Sequence, residues 1–370
     1  VEGALRRLEV GIGPHGGELG RADCVGPGRT RHVHRITHRR QLPVLVRLAV
    51  ARPRDVVNLL KGLAGSIAVN TITGGARAVV GNTSGPRVGI KADSVAVASE
   101  EDNQIWSLAG ALTFGNKTAV GGAVTANVIV VSSGAEVLNT DVTARDLPAG
   151  APSGTEPPVL GDVTVTADST SLIGTIAVAG AVSADGTGVG VGLSGNTITA
   201  DLTVSMAGST VTDAGSVTLR ATNDRTIRSL GGGVAGSGRG AGGFAGTLNL
   251  LLSNDTVVNL DGADISTRSG DIAALAEATG VIETLAVAVS ASQDTSIGGA
   301  ATVNVSAGLT QVSANGALLA AGGALTLSAT DALTIRSLAG GVAVSLGGTG
   351  VGAAIAANVI TNDTLVAANN

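Results

Sequence analysis

The chain of 370 residues has a formal net charge of −5, 56 glycines and only three aromatic residues. Apolar residues make up 44% of it. This share excludes a chain that is disordered through low hydrophobicity, and the weak negative charge excludes a general attraction to nucleic acid or anionic membranes. The single cysteine excludes a disulfide framework and a cysteine-based zinc site. Because most apolar side chains are small, we expect thin, closely packed layers rather than a wide core.

Residues 1–61 differ in composition from the rest. All four histidines, the cysteine and eleven arginines lie before residue 61. The run from Arg29 to Arg40 has the charge of a nucleic-acid-binding patch and the histidines of a metal site, but no aromatic residues interleave with it and no carboxylate lies nearby. We therefore interpret residues 1–61 as an atypical Arg/His-rich segment, either disordered or a frame-shifted translation of the sequence that follows.

From residue 62 onward the chain repeats with a period of about 54 residues, the signature of stacked structural units. Thr226–Val234 and Thr334–Val342 are nearly identical. Two anchor residues recur at constant spacing, an isoleucine and, 22 or 23 residues later, an asparagine. The isoleucines are Ile105, Ile173, Ile227, Ile282 and Ile335. The asparagines are Asn70, Asn127, Asn196, Asn249, Asn304 and Asn358.

One interval between anchors is longer than the others, and it contains the proline-rich run Leu147–Pro158. We interpret residues 147–158 as an insertion loop within a repeat region that spans residues 62–370. The chain begins at Val1 and ends inside a repeat at Asn370. We therefore expect a segment of a longer protein, and we expect the flanking repeats of that protein to be binding partners of this segment.

Within each repeat, apolar and polar residues alternate, as in Asp162–Ala167 and Ser216–Ala221, which is typical of half-buried strands. Turn residues recur at matching places, for example Ala184–Gly188 and Gly347–Gly350. The pattern predicts about four strands of 6–12 residues per repeat. The predicted fold is all-β, a parallel β-solenoid (β-helix). The sequence leaves open whether 54 residues form one wide coil or two coils of about 27, and it leaves the handedness open.

The asparagine row has two interpretations. The first is a buried ladder in which each amide bonds to its neighbour along the stack, and the second is a row that contacts a ligand. Four acids precede the isoleucine anchor by three to five residues, and we expect them at turns, accepting backbone N–H groups. These predicted turn acids are Asp102, Asp168, Asp224 and Asp331. Arg228 and Arg336 share a position in the repeat and are expected to pair with turn acids.

The blocks Ile335–Ser345 and Gly350–Ile360 resemble the repeats of large filamentous-haemagglutinin-like and autotransporter-type adhesins of Gram-negative bacteria, and the likeness covers residues 62–370. The resemblance implies an exported stalk at the bacterial cell surface, associated with the outer membrane only through regions outside this chain. The function that it implies is that of a structural stalk which presents attachment regions or contributes to cell-surface attachment, with a host-surface protein or glycan as a candidate partner.

We expect no enzymatic activity, because no His, Cys or Tyr follows residue 60 to act as base or nucleophile. The alternative is a carbohydrate-active β-helix enzyme, a polysaccharide lyase or hydrolase, which needs carboxylates clustered along a groove. We expect no cofactor, no structural metal and no nucleic-acid partner. Incidental Ca²⁺ could bind at the predicted turns Asn254–Asp255 and Asn362–Asp363.

Overall fold

The computed structural model describes the backbone of residues 33–37, 48–50, 61–145 and 160–369, and side chains from residue 61 onward within these ranges. This part of the chain contains only strands and their connections. The strands are β1 (Val33–Thr37), β2 (Leu48–Val50), β3 (Lys61–Gly74), β4 (Arg77–Gly81), β5 (Val88–Ala92), β6 (Val95–Gly115), β7 (Thr118–Leu138), β8 (Thr140–Ala144), β9 (Val163–Ser183), β10 (Thr187–Ala207), β11 (Thr210–Ala214), β12 (Val217–Ser237), β13 (Gly240–Leu251), β14 (Thr256–Asn259), β15 (Asp264–Thr267), β16 (Ile272–Ser292), β17 (Thr295–Asn315), β18 (Leu318–Ala320), β19 (Leu325–Ser345) and β20 (Thr349–Asn369).

Three parallel sheets run along the stack. Sheet A contains β6, β9, β12, β16 and β19, and β1 and β2 from the Arg/His-rich segment pair with β6 at its edge. Sheet B contains β3, β4, β7, β10, β13, β14, β17 and β20. Sheet C contains the short strands β5, β8, β11, β15 and β18. Each coil therefore passes through a long strand of sheet A, a long strand or strand pair of sheet B, and a short strand of sheet C. The predicted parallel β-solenoid is confirmed.

One repeat makes one wide coil. Val163 pairs with Val217, which pairs with Ile272, so neighbours in the sheet are 54 or 55 residues apart. The prediction of four strands of 6–12 residues is wrong, because most long strands contain 21 residues. Of the glycines that suggested turns, Gly188 and Gly350 lie inside these strands, whereas Gly186, Gly347 and Gly348 lie in connections between strands. With about 4.8 Å between strands and about 3.3 Å per residue, six stacked strands form a slab about 25–30 Å high and about 70 Å wide.

Aliphatic side chains fill one half of each coil, which we call the thick half. It consists of the first half of each sheet A strand, the second half of each sheet B segment, and sheet C. Val165 and Leu219 from sheet A meet Leu202 and Val258 from sheet B and Ile265 from sheet C, and all five are fully buried. Burial of such side chains is the main source of stability, at about 1.5–3 kcal/mol each.

In the other half of each coil, the thin half, sheets A and B meet through alanine, glycine and serine. On β12 and β13 the thin half comprises residues 229–237 and 240–250. Ala177 and Ala179 of sheet A face Gly190 and Gly192 of sheet B, and a β-carbon at position 192 would overlap the carbonyl oxygens of Ala177 and Gly232. The backbones of the two sheets are therefore nearly in contact. This close approach explains the high glycine content and the scarcity of rings.

The connections from sheet A to sheet B form a tip at the end of the thin half. The predicted turns near Ala184–Gly186 and Gly347–Gly348 lie here, between β9 and β10 and between β19 and β20. The predicted turn at Asn362 is wrong, because this residue lies inside β20. The insertion loop predicted at residues 147–158 lies outside the described residues, as do the side chains of residues 1–60.

Replacing Gly192 by Ala should lower the free energy of unfolding by about 1–3 kcal/mol, because the new methyl group must push the two sheets apart. The control is Gly122→Ala in β7, where a β-carbon would meet no atom within 4 Å. This change should alter stability by less than about 0.5 kcal/mol. Urea unfolding followed by circular dichroism measures both. Equal stability of the two variants would contradict the close contact between the sheets.

Candidate functional site

The six anchor asparagines lie in one row of sheet B, each directly opposite the next in the pairing of the strands. Their side chains point into the coil. Each Nδ2 donates to the Oδ1 of the next asparagine, at 2.7 Å from Asn70 to Asn127, 2.9 Å to Asn196 and 2.8 Å at each of the next three steps. Asn249 and Asn304 are fully buried. The row is thus a continuous amide ladder in the interior.

Hydroxyl groups of sheet A complete the ladder from the opposite side. Asn249 Nδ2 lies 2.9 Å from the hydroxyls of both Ser229 and Thr284, and Thr175 donates to Asn196 Oδ1 at 2.7 Å. Four of the isoleucine anchors of sheet A are buried next to this seam and Ile335 is partly buried, all of them packed with Ile129 and other aliphatic residues of sheet B. Since polar groups this deep must be hydrogen-bonded, the ladder fixes the register of successive coils.

The four predicted turn acids do not lie at turns. Asp102, Asp168 and Asp224 lie within β6, β9 and β12 on the outer face of sheet A, and Asp331 lies within β19 with its side chain directed inward. The prediction assumed a corner before each isoleucine, whereas the wide coil continues straight through this position. Two of the outer acids accept from polar side chains: Asp102 from Gln104 at 3.2 Å, and Asp224 from the Thr279 hydroxyl.

Asp331 belongs to a buried ionic cluster with Arg225. The Arg225 side chain is 1% exposed, and its Nη2 lies 3.9 Å from Asp331 Oδ1. Its Nε and Nη1 donate to the backbone carbonyls of Thr279 and Asn254 at 3.1 and 3.4 Å, and Asn362 donates to Asp331 at 2.7 Å. Burial lowers the pKa of Arg225, and the carboxylates of Asp331 and Asp224 oppose this shift. The guanidinium remains charged, so it needs its carboxylate partner.

Arg228 and Arg336 pair with the same carboxylate, Glu283, at 3.0 and 2.9 Å. The pairing with an acid was predicted, but Glu283 is a strand residue of β16 rather than a turn acid. The three side chains form an ion-pair row on the outer face of sheet A. Being exposed, such a row contributes little to stability, about 1 kcal/mol or less per pair.

A shallow groove follows this ion-pair row across sheet A, and we call it the sheet A groove. Trp106 stands at one end, with its ring over Gly174 of the next strand. One wall is the ion-pair row and the other is a row of aliphatic side chains, the aliphatic row. The aliphatic row consists of Leu108, Ile176, Leu230, Leu285 and Leu338.

The sequence pattern gives no direct indication of this groove. Alternation shows that two kinds of residue lie on opposite faces, but in the thin half both kinds are apolar. The available signal was size, because in Ser229–Ser237 and Thr284–Ser292 small residues alternate with larger ones. Only the structure shows that the small residues face inward and the larger ones face outward.

The predicted calcium positions already have protein partners. Asn254 is buried and hydrogen-bonded to Ala200 N at 2.9 Å, and Asp255 accepts from Leu309 N at 3.0 Å. Within residues 61–145 and 160–369, no three His, Cys, Asp or Glu side chains lie close enough to hold a metal ion. No helix among the described residues has the length and apolar content needed to cross a membrane. Comparison with family models, curated proteins and solved structures gave no match in any of the three.

Replacing Asn249 by Ala should lower the free energy of unfolding by about 2–4 kcal/mol, because the amides of Asn196 and Asn304 each lose a buried partner. Thermal unfolding followed by circular dichroism measures the loss. Asn116→Ala, at an exposed tip position, is the control and should change stability by less than about 0.5 kcal/mol. If Asn249→Ala melts like the unmodified chain, the ladder does not stabilise the stack.

Replacing Asp331 by Ala should destabilise the chain by about 2–4 kcal/mol, because Arg225 is left charged and buried without its carboxylate. The double variant Arg225→Met, Asp331→Leu should recover most of this loss, since it removes both charges. Glu283→Gln, in the exposed ion-pair row, is the control and should cost about 1 kcal/mol or less. Urea unfolding of all three variants tests the cluster, and a double variant no more stable than Asp331→Ala would refute the proposed charge pairing.

Proposed function

We propose that this chain is a non-enzymatic structural segment of an exported bacterial surface adhesin, a stalk that presents attachment regions or contributes to them. The observation that carries the proposal is the in-register stacking of one 54-residue coil on the next through the whole described repeat region. Each coil contacts its immediate neighbours along the axis, so further coils extend the body without changing its cross-section. Such a body suits the role of a rigid spacer.

The buried rows support this role. The amide ladder and the isoleucine anchors repeat at every coil, so each coil is locked to its neighbours in both register and spacing. A spacer that must hold a binding region away from a cell needs resistance to shear more than it needs a cleft. Interior hydrogen bonds that run along the axis provide that resistance.

The sheet A groove bears on the alternative, a carbohydrate-active enzyme. Hydrolysis of a glycosidic bond generally needs two carboxylates placed about 5–10 Å apart on either side of the bond. Among the described residues, Glu283 is the one carboxylate lining the groove, and two arginines neutralise it. This arrangement favours the structural proposal over the enzymatic one.

Antibodies raised against the full chain test the proposal. They should label intact cells of the bacterium that encodes it, with antibodies against a cytosolic protein as the negative control. Labelling only after permeabilisation would overturn the surface location. Release of reducing ends from a panel of polysaccharides by the purified chain would overturn the non-enzymatic assignment.

The proposal has two forms: the chain either contributes to attachment itself or only presents attachment regions located elsewhere. Binding of the labelled full chain to epithelial cells and to a glycan panel distinguishes between them. Saturable binding that is lost when residues 147–158 are deleted would make this an adhesive segment whose contact site is the insertion. A folded chain that binds nothing would be a spacer, with attachment located elsewhere in the parent protein.

A further inference from the structure

The outer face of sheet A in the thin half is apolar. In sheet A, residues 107–115 of β6, 229–237 of β12, 284–292 of β16 and 337–345 of β19, together with 172–183 of β9, contain no charged residue. The outward side chains are large for an exposed surface: Ile176 is 44% exposed, Val234 48% and Val342 51%. Ordinary monomers rarely leave more than a few hundred Å² of contiguous apolar surface in water.

Outside the sheet A groove, this face is also smooth. Large side chains lie over glycines of the neighbouring strand, so that Trp106 covers Gly174 and Val178 covers Gly232. Leu112 covers Gly180 in the same way. Because these large side chains fill the gaps above the glycines, the surface fits a flat, rigid partner such as another β-sheet better than a flexible peptide.

The size of the face matches a stable protein interface. Five strands about 4.8 Å apart, with about nine residues each at 3.3 Å per residue, span about 700 Å². Two copies would together bury about 1,400 Å², within the range of about 1,200–2,000 Å² for specific complexes.

The charged tip argues against a lipid bilayer as the occupant. Lys117, Asp185, Arg239 and Asp294, one from each of four successive coils, are exposed at the connections between sheets A and B. Insertion of the thin half into a bilayer would place these charged side chains in the hydrocarbon core, which costs about 2.5–3.5 kcal/mol of free energy for each charge on insertion scales. Face-to-face packing with a protein leaves the tip in water.

We propose that a second copy of this chain covers the face, with sheet A of one copy packed on sheet A of its partner about a two-fold axis. In a two-fold interface each surface meets the same surface of the partner, so a projecting row needs a matching depression on the same face. The aliphatic row and the sheet A groove lie side by side and meet this need. The ion-pair row of Arg228, Glu283 and Arg336 then forms a polar rim at the edge. The inference is independent of the proposed function.

The experiment compares two matched variants of the full chain. Val234→Asp places a carboxylate in the centre of the sheet A face. Leu193→Asp does the same on sheet B, at a side chain 42% exposed on the central strand β10. Sedimentation velocity from about 1 nM to about 100 µM measures the mass of each variant, because interfaces of this size have dissociation constants that range from micromolar to picomolar. Circular dichroism checks that both variants are folded.

The unmodified chain and Leu193→Asp should both change from monomer to dimer as the concentration rises. The dissociation constant of the Val234→Asp dimer should be at least about tenfold higher, which corresponds to a loss of about 1.4 kcal/mol of binding free energy. Trp106, the one tryptophan, should show a blue shift of its fluorescence as the dimer forms. A monomer at every concentration would overturn the proposal. Dimerisation lost in Leu193→Asp but kept in Val234→Asp, without a fluorescence shift, would assign the interface to sheet B instead. Flotation of the unmodified chain with phosphatidylcholine vesicles, lost in Val234→Asp, would replace the second copy by lipid.

Discussion

Sheets A and B approach each other in the thin half until their backbones are nearly in contact, and the other features of the structure follow from this distance. Even the methyl group of alanine does not fit at positions such as Gly192 and Gly233, where a β-carbon would overlap a carbonyl oxygen of the facing sheet. The interior must therefore be built of glycine, alanine and serine. Small interiors bury little apolar area per residue, so the thick half must provide most of the hydrophobic stabilisation.

The polar rows occupy the boundary between the two halves for a related reason. The distance between sheets A and B increases from the thin half to the thick half. At the boundary between the halves, this distance suits the side chain of asparagine, whereas the methyl group of alanine would be too small to fill the space. Asparagine fills this space and hydrogen-bonds along the axis to the equivalent asparagine of the next coil, as Asn196 does to Asn249 at 2.8 Å. Because each asparagine hydrogen-bonds to the equivalent residue of the next repeat, the ladder favours the same spacing between all coils. The Arg225 and Asp331 pair, further into the thick half, is the exception that does not repeat.

Because the thin half has no room inside for large aliphatic residues, these residues lie outside. In most half-buried strands the larger apolar residues face inward and polar residues face water. Here β9 and β12 follow that rule in the thick half and reverse it in the thin half. The result is a slab with a charged, solvated half and an apolar, flat half. This division supplies the surface for face-to-face association, and it leaves the stacking direction free for further coils.

The class of fold, the 54-residue period and the equivalence of the anchor residues could be predicted from the amino-acid sequence alone. Periodicity of two and recurrence at fixed spacing are local properties, and in-register stacking turns each recurrence into a direct contact, as between Ile227 and Ile282. The width of the coil, the side of the sheet on which each residue lies and the positions of the four acids could not be predicted, because they depend on contacts between residues that are far apart in the sequence. Aspartate is common at turns, where it accepts backbone N–H groups, so Asp102 and Asp224 were expected at corners that the coil does not have. Pairs such as Arg225 and Asp331 bridge 106 residues of sequence, and nothing in the local pattern indicates that two charges so far apart share one buried space.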